Sequence, residues 1–142
     1  MSVKSVQFAV ATHIMAALGI CPGGEVGSAT LAESVKANPT FVRKSLSKLS
    51  KAGLVVTTRG KRGASVLAHP PERITLLDIY RASGAPPAFA IHSYPVEKRC
   101  PVSLNLKECM SEVLSRAQGS FEKSLAKITL ADLIGQIRAK AH

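Results

Sequence analysis

Cationic and cysteine side chains are the residues of this 142-residue chain with the clearest capacity for chemistry. Lysines and arginines gather between positions 38 and 62, with hydroxyl, amide and aromatic side chains among them. Such side chains neutralise phosphates and reach the edges of bases, which is the chemistry of DNA binding. The candidate DNA-binding residues are Asn38, Thr40, Phe41, Arg43, Lys44, Ser47, Lys48, Lys51, Arg59, Lys61 and Arg62.

The net charge of +10 supports this interpretation because it is unevenly distributed. Residues 1–68 carry nine lysines and arginines against two acidic residues, whereas residues 69–142 carry ten against seven. The excess positive charge therefore lies with the candidate DNA-binding residues, as the binding of a polyanion requires. The alternative is a basic surface that only keeps the protein in solution.

Cys100 is the candidate for redox chemistry. It follows Lys98 and Arg99 and precedes a predicted helix, whose unpaired amide groups attract negative charge. The cations and the helix terminus both favour the thiolate, which is the reactive form of cysteine. We therefore expect Cys100 to sense an oxidant or an electrophile; the alternative is an inert thiol half-buried under a loop.

The other two cysteines have weaker signals. Cys109 lies within a predicted long helix, where it either fills space or resolves an oxidised Cys100, in the same subunit or across a dimer. Cys21 ends the first predicted helix, where it packs or pairs with a cysteine of another chain. His92 with Cys100 and Cys109 fits no standard zinc spacing, so we expect no metal ion and no cofactor.

Two short helices are predicted to position the cations. The first, at 29–37, follows a capping Ser28, and the second begins at Thr40. Asn38–Pro39 forces a turn between them because the residue before proline avoids helical angles. The inward side chains of the second helix are predicted to be Val42, Leu46 and Leu49, and the outward ones Arg43, Lys44, Ser47, Lys48 and Lys51.

A basic hairpin is predicted to follow these helices. Leu54–Thr58 and Ser65–Ala68 have the composition of two strands, and the residues between them form a cationic tip. Thr75 then caps a further short helix, Leu76–Ala82. A helix-turn-helix followed by such a ribbon is a winged helix-turn-helix, which places one helix in the major groove of DNA. The predicted fold is therefore mainly α with a small β-wing, and residues 1–84 form the DNA-binding domain.

The remainder of the chain is predicted to be a loop and two helices. Its prolines mark residues 85–102 as a loop that contains the sensor cysteine. Residues 103–127 form a long helix with an apolar stripe, and Thr129 starts a last helix. The stripe favours a homodimer in which two long helices pack together, so residues 103–142 are the predicted dimerisation region. Packing of the stripe on its own domain is the alternative.

No secretory signal or membrane-spanning segment is predicted. The apolar run from Phe8 to Ile20 is interrupted by Thr12 and His13 and is too short to span a bilayer. Three cysteines without an export signal indicate a reducing compartment, so we expect the protein in the cytoplasm.

Three segments, in order, resemble the Rrf2 family of bacterial winged-helix transcriptional regulators. They are LAESVKANPTFVRKSLSKLSKAGLVVTTRG at 31–60, PPERITLLDIYRASG at 70–84 and ITLADLIGQI at 128–137. The resemblance implies a homodimer that binds double-stranded DNA at a palindromic operator, with the long helices at the dimer interface.

The resemblance also implies roles for single residues. The start of the family's recognition helix matches Asn38, Thr40, Phe41 and Arg43, and its minor-groove arginine matches Arg59. The wing departs from the family, because Arg62-Gly63-Ala64-Ser65 stands where a run of glycines is usual. We expect this wing to favour phosphates over a deep fit into the minor groove.

The cysteine pattern departs from that of the family members that bind an iron–sulfur cluster. Those members carry three closely spaced cysteines before the long helix, whereas this chain has Cys100 and Cys109 there. A [2Fe–2S] cluster usually needs four ligands, so cluster ligation does not transfer. His92, Pro95 and Cys100–Pro101 resemble instead the YwnA-like members, which lack the full cysteine set.

Together these residues predict a dimeric, sequence-specific DNA-binding regulator, acting as a repressor, whose grip on DNA changes when Cys100 reacts. Two alternatives stay open: an iron–sulfur or metal-sensing regulator, and a small-molecule-binding or partner-binding module without a redox role. An enzyme is not expected, because no nucleophile–base pair, carboxylate pair or phosphate-binding glycine motif stands out.

Overall fold

A computed structural model describes residues 6–21, 26–57, 64–91 and 95–141. These ranges contain α1 (Gln7–Ile20), α2 (Ser28–Val35), α3 (Pro39–Lys51), β1 (Val55–Thr57), β2 (Ser65–Leu67), a 3₁₀ turn (Pro71–Arg73), α4 (Leu76–Ala82), α5 (Pro101–Ala126) and α6 (Leu130–Lys140). The predicted fold class, mainly α with a small β-sheet, is confirmed. Within these ranges, no helix combines the length and the hydropathy that a bilayer crossing requires.

The chain forms two compact units. The first comprises Met1–Ala85 together with Leu125–His142, and the second comprises Pro86–Ser124. The last helix, α6, therefore belongs with the helix-turn-helix, whereas the division made from the sequence groups it with the long helix. The reason is burial, because Leu130 and Ile134 of α6 enter the core of the first unit.

The core of the first unit is aliphatic, as expected for a chain without tryptophan. Its buried side chains from α1 are Ala11, Ile14, Met15, Ala16 and Leu18. Phe8, at the edge of this core, packs edge-to-face on Tyr80 with 5.3 Å between the ring centroids. Because α1 contacts α2, α3, α4 and α6, these helices are assembled around it.

The helix-turn-helix consists of α2, a short turn and α3. Lys36 ends α2 in the left-handed conformation with φ of 58°, and Asn38 caps α3, which begins at Pro39. Proline suits the first position of a helix because the N–H that it lacks has no helical partner there. The predicted cap of α2 is wrong, since the helix begins at Ser28 itself and Gly27 precedes it without a side-chain cap.

The two strands of the hairpin pair in antiparallel register, with Val56 opposite Val66. Val26 pairs with the second strand of the hairpin, because its backbone exchanges two hydrogen bonds of 3.1 and 2.9 Å with Ser65. The hairpin is thereby tied to the segment before α2. The tip between the strands, residues 58–63, lies outside the described residues.

Two helices of the first unit begin with the same cap. The Thr75 hydroxyl accepts a hydrogen bond from the Asp78 N–H, and the Asp78 carboxylate accepts one from the Thr75 N–H. Thr129 and Asp132 repeat this capping box at the start of α6. The backbones of Thr75 and Thr129 also pair in an antiparallel bridge, so the two helix starts lie side by side. The predicted starts of both helices are confirmed.

The second unit holds the proline-rich segment and most of α5. The helix begins at Pro101, two residues before the predicted start, because proline suits the first helical position. The Ala88 N–H donates a hydrogen bond of 2.9 Å to Oε1 of Gln118, which ties the segment to the helix. Every described side chain of this unit is exposed or half-buried, so its described part has no core of its own.

Candidate DNA-binding surface and cysteine sites

The outward face of α3 carries positive charge without any acidic residue on the helix. Its exposed polar side chains include Arg43, Lys44, Ser47, Lys48 and Lys51. None of these cations forms an ion pair with a carboxylate in the part of the chain that the structure describes. The opposite face is sealed, because Val42, Leu46 and Leu49 are buried in the core. The predicted orientation of the helix is confirmed, and its cations are available to an external polyanion.

The start of α3 is organised by Asn38 and Thr40. The Oδ1 atom of Asn38 accepts a hydrogen bond of 2.8 Å from the Thr40 N–H and so caps the helix. The Thr40 hydroxyl in turn accepts a hydrogen bond of 3.4 Å from Nη2 of Arg43. Asn38 and Thr40 are exposed, whereas Phe41 is half-buried. The Arg43 guanidinium is therefore held near the first turn of the helix before any partner binds.

Lys48 differs from the other cations of α3 because it lies against the end of α4. A Cβ atom on Gly84 would lie 3.1 Å from the Nζ atom of Lys48. Gly84 follows α4 by two residues and has φ of +73°, a conformation that favours glycine. The carbonyl end of a helix attracts a cation, and Lys48 lies close to that end of α4. Lys48 is exposed, and its contact with a phosphate stays a prediction.

The wing is described only where its strands pair. Val55 and Ser65 are buried, so the base of the hairpin is anchored in the first unit. The predicted DNA-binding residues of the tip, Arg59, Lys61 and Arg62, lie outside the described residues. Their clamp on DNA stays a prediction.

Cys100 immediately precedes α5, and its half-buried thiol accepts a hydrogen bond of 3.5 Å from the Ser103 N–H. The sulfur therefore caps a 26-residue helix at the end where the helix dipole favours negative charge. Of the two neighbouring cations, Lys98 is exposed, but Arg99 pairs with Glu97 at 3.4 Å. Reasoning from the sequence missed Glu97, although its position two residues before the arginine was a usable signal.

Cys109 lies on α5, nine residues after Cys100, which immediately precedes the helix. At a rise of about 1.5 Å per residue, the two cysteines are about 13 Å apart along the helix axis. A disulfide needs Cα atoms roughly 4.4–6.8 Å apart. The expectation that Cys109 resolves an oxidised Cys100 within one subunit is therefore wrong for the folded helix. Cys109 is exposed, and its pairing across a dimer stays a prediction.

Cys21 belongs to the other unit. It ends α1, where its N–H donates a hydrogen bond of 3.1 Å to the carbonyl of Ala17, and its side chain is half-buried. The three cysteines are thus divided between two units, with Cys21 in the first and the other two in the second. A redox role for Cys21 stays a prediction.

The thiols do not fit an iron–sulfur cluster. In the described ranges, no group of three or more His, Cys, Asp and Glu side chains could hold a metal ion. Such a cluster needs about four converging ligands, whereas Cys100 and Cys109 are separated along α5. His92 lies outside the described residues.

One face of α5 carries an apolar stripe that is open to solvent. Val102 and Val113 are 64% and 55% exposed, and Leu106 between them is also exposed. Their spacing of four and seven positions puts them on one face of the helix. Cys109 lies at the edge of this face, three positions after Leu106. In the described part of the second unit, nothing buries this stripe.

Comparisons with known proteins bear on the whole chain. The family model described as "Rrf2: Iron-dependent Transcriptional regulator" matches residues 4–136. A Bacillus subtilis (strain 168) protein, named as an HTH-type transcriptional regulator, YwnA, is 33% identical over 132 residues. That match covers 92% of this chain and 96% of the relative, so the similarity extends over both proteins almost entirely.

Solved structures share the fold. A transcriptional regulator from Lactobacillus plantarum has a TM-score of 0.78 at 27% identity, with 94% of this chain and 90% of that chain covered. IscR of T. potens has a TM-score of 0.68 at 24% identity, with 96% and 88% covered, and this likeness shows the fold alone. The predicted winged-helix fold is confirmed. The extent of the family match and the similarity to YwnA show that the chain belongs to the Rrf2 family of DNA-binding transcriptional regulators.

Proposed function

We propose that this protein is a homodimeric repressor that binds a palindromic operator through α3 and releases it when Cys100 reacts with an oxidant or an electrophile. The observation that carries the proposal is the outward face of α3, which is polar and exposed on a helix without acidic residues. A helix that is buried in the core on one side and carries exposed cations on the other is suited to the major groove.

Arg43 is the residue proposed to read a base. Its guanidinium lies near the first turn of α3, 3.4 Å from the Thr40 hydroxyl, and recognition helices contact base edges mainly through their N-terminal residues. Arginine can donate two hydrogen bonds to a guanine, which gives it sequence selectivity. Lys44 and Lys51 suit phosphate contacts from the same helix. The proposed phosphate contacts of the wing are Arg59, Lys61 and Arg62.

The uncovered stripe of α5 supports the homodimer. From Val102 to Val113 it exposes apolar side chains over about 16 Å of helix. Removal of apolar surface from water is favourable, and a twofold dimer presents the same stripe from each subunit. Binding to successive major grooves, about 34 Å apart, requires two recognition helices, and a dimer provides two copies of α3.

Cys100 is proposed as the switch because its sulfur takes part in the first turn of α5. The thiol accepts a hydrogen bond from the Ser103 N–H. Oxidation or alkylation of the sulfur therefore changes this cap of the helix. A peroxide transfers one oxygen atom to the thiolate sulfur to give a sulfenic acid, and its other oxygen leaves as hydroxide. A displacement of the dimerisation helix changes the distance between the two α3 helices and so lowers the affinity for the operator.

The test is the binding of the full-length protein to the DNA upstream of its own coding sequence, measured by mobility shift over a range of salt concentrations. Lys44→Ala combined with Lys51→Ala is expected to weaken binding and to reduce the salt slope by about two. Lys127→Ala combined with Lys140→Ala removes the same charge from exposed positions outside α3 and is the control. If both double variants lost the same amount of DNA affinity, the interaction would depend only on the net charge of the protein, which would contradict the role of α3.

A further inference from the structure

A cleft of about 570 Å³ opens between α1, α2 and α6. Its floor includes the buried side chains of Ala16, Val26 and Leu31. Ile20 of α1 and Leu133 of α6 form part of its walls. The cleft lies wholly within the first unit, and no residue of α3 lines it. It is therefore separate from the DNA-binding surface.

Short side chains on α1 create this space. Ala9, Ala16 and Ala17 line the cleft, and their size leaves a volume that the side chains of α2 and α6 do not fill. Water fills such an open cleft and lies against its apolar side chains. A molecule that fits the cleft removes this apolar surface from water, which is favourable.

The described rim of the cleft is polar. Nε2 of His13 and Oγ of Ser34 lie 2.9 Å apart, which joins α1 to α2 at the exposed mouth. Thr12 and Thr30 also line the cleft. Among the residues that the structure describes, none of those that line the cleft is a lysine, arginine, aspartate or glutamate. The His13–Ser34 pair can offer one donor and one acceptor to a polar group placed at the mouth.

We propose that this cleft binds a compact, uncharged and mainly apolar small molecule with one hydrogen-bonding group, which the His13–Ser34 pair engages. The volume is within the range of small-molecule sites, roughly 300–1,000 Å³, and apolar walls with few polar groups are typical of them. A charged ligand is disfavoured because a buried charge without a partner is costly. A partner helix is too large, since about one turn with its side chains fills this volume.

The cleft is connected to α3 through α2. Leu31 and Ser34 line it from α2, which ends at Val35, four residues before α3 begins at Pro39. The two helices also pack against each other. A ligand that draws α2 towards α1 therefore moves the helix that carries the cations. This regulatory consequence rests on the proposed function, whereas the binding itself does not.

2-Naphthol is a suitable probe because it is aromatic, uncharged at neutral pH and fluorescent, with a single hydroxyl group. A fluorescence titration of the full-length protein is expected to show saturable binding of one molecule per chain. Ser34→Phe blocks the mouth from an exposed position and is expected to weaken binding about tenfold or more. Ser50→Phe, the same change at an exposed position of α3, is the matched control and leaves binding unchanged. Thr30→Phe repeats the test from a second exposed position should Ser34→Phe fail to fold.

Cys21 provides a local reporter because it lines the cleft. In a chain with Cys100→Ser and Cys109→Ser, 2-naphthol is expected to slow the modification of Cys21 by N-ethylmaleimide several-fold. Slow modification without the probe, which accelerates on dilution, would show that a second copy covers the cleft and would overturn the proposal. Probe binding that both Ser34→Phe and Thr30→Phe leave intact would overturn it as well.

The proposed function is tested separately, by measuring DNA binding. A protein that binds 2-naphthol in the cleft but has no affinity for its upstream DNA would support the binding site and overturn the proposed function. A change in DNA affinity at saturating probe, absent in Ser34→Phe, supports the link between the two. An unchanged DNA affinity at saturating probe overturns that link alone.

Discussion

Lys48 of α3 lies so close to Gly84 that a Cβ atom on the glycine would be 3.1 Å from the lysine Nζ atom. The contact joins α3 to the end of α4, where the helix dipole favours a cation. Gly84 meets two conditions here, since it lacks a Cβ atom and adopts a left-handed φ of +73°. The Lys48 side chain of α3 therefore lies against a residue that is far from it in the chain.

Gly84→Ala is expected to lower the free energy of unfolding by about 1–2 kcal/mol, because alanine in the left-handed region is strained and its Cβ crowds Lys48. Urea denaturation at one protein concentration measures this. Gly135→Ala is the matched control, since that helical glycine has open space around it, and it is expected to stabilise the protein by up to about 1 kcal/mol. An unfolding free energy of Gly84→Ala equal to that of the wild type would contradict the role of this glycine.

Val113→Glu is expected to convert the proposed dimer to monomer, because it places a charge on the exposed apolar stripe of α5. Sedimentation velocity should show a dimerisation constant weakened about tenfold or more. Ser111→Glu adds the same charge to the opposite, exposed face of the helix and should leave the dimer intact. A stable dimer of Val113→Glu would place the interface elsewhere.

Cys100→Ser is expected to bind DNA as the wild type does and to remain bound after treatment with hydrogen peroxide. The hydroxyl can still accept the Ser103 N–H, but it does not form a sulfenic acid. Mobility shift before and after peroxide measures this, with Cys109→Ser as the control that keeps its response. Mass spectrometry of the oxidised protein should find no disulfide between Cys100 and Cys109 of one chain. If peroxide released the Cys100→Ser protein from DNA, Cys100 would not be the sensor.

Local signals predicted the parts of the fold that depend on neighbouring residues. Thr75 and Thr129 each stand three residues before an aspartate, and this spacing is sufficient for a capping box. The faces of α3 followed from the helical period in the same way. Ser28 was misassigned because Gly27 supplies the extended backbone before α2, so the helix starts one residue earlier without a side-chain cap.

Contacts between distant elements could not be predicted from the same signals. The approach of Lys48 to Gly84 depends on how α3 and α4 are packed, which no periodicity encodes. The cleft depends on the distances between three helices, although the alanines of α1 that create it are plain in the sequence. The attachment of α6 to the first unit likewise depends on the burial of Leu130 and Ile134, which an amphipathic pattern alone assigns to no particular partner.

The central claim, that the outward face of α3 reads DNA, is tested most directly by the affinity of Arg43→Ala for the upstream fragment and for a scrambled fragment of the same length. Fluorescence anisotropy of labelled DNA gives both affinities at one salt concentration. The predicted result is a loss of about 1–3 kcal/mol on the upstream fragment and a much smaller loss on the scrambled one. A folded Arg43→Ala protein that binds the upstream fragment as tightly as the wild type would contradict the claim.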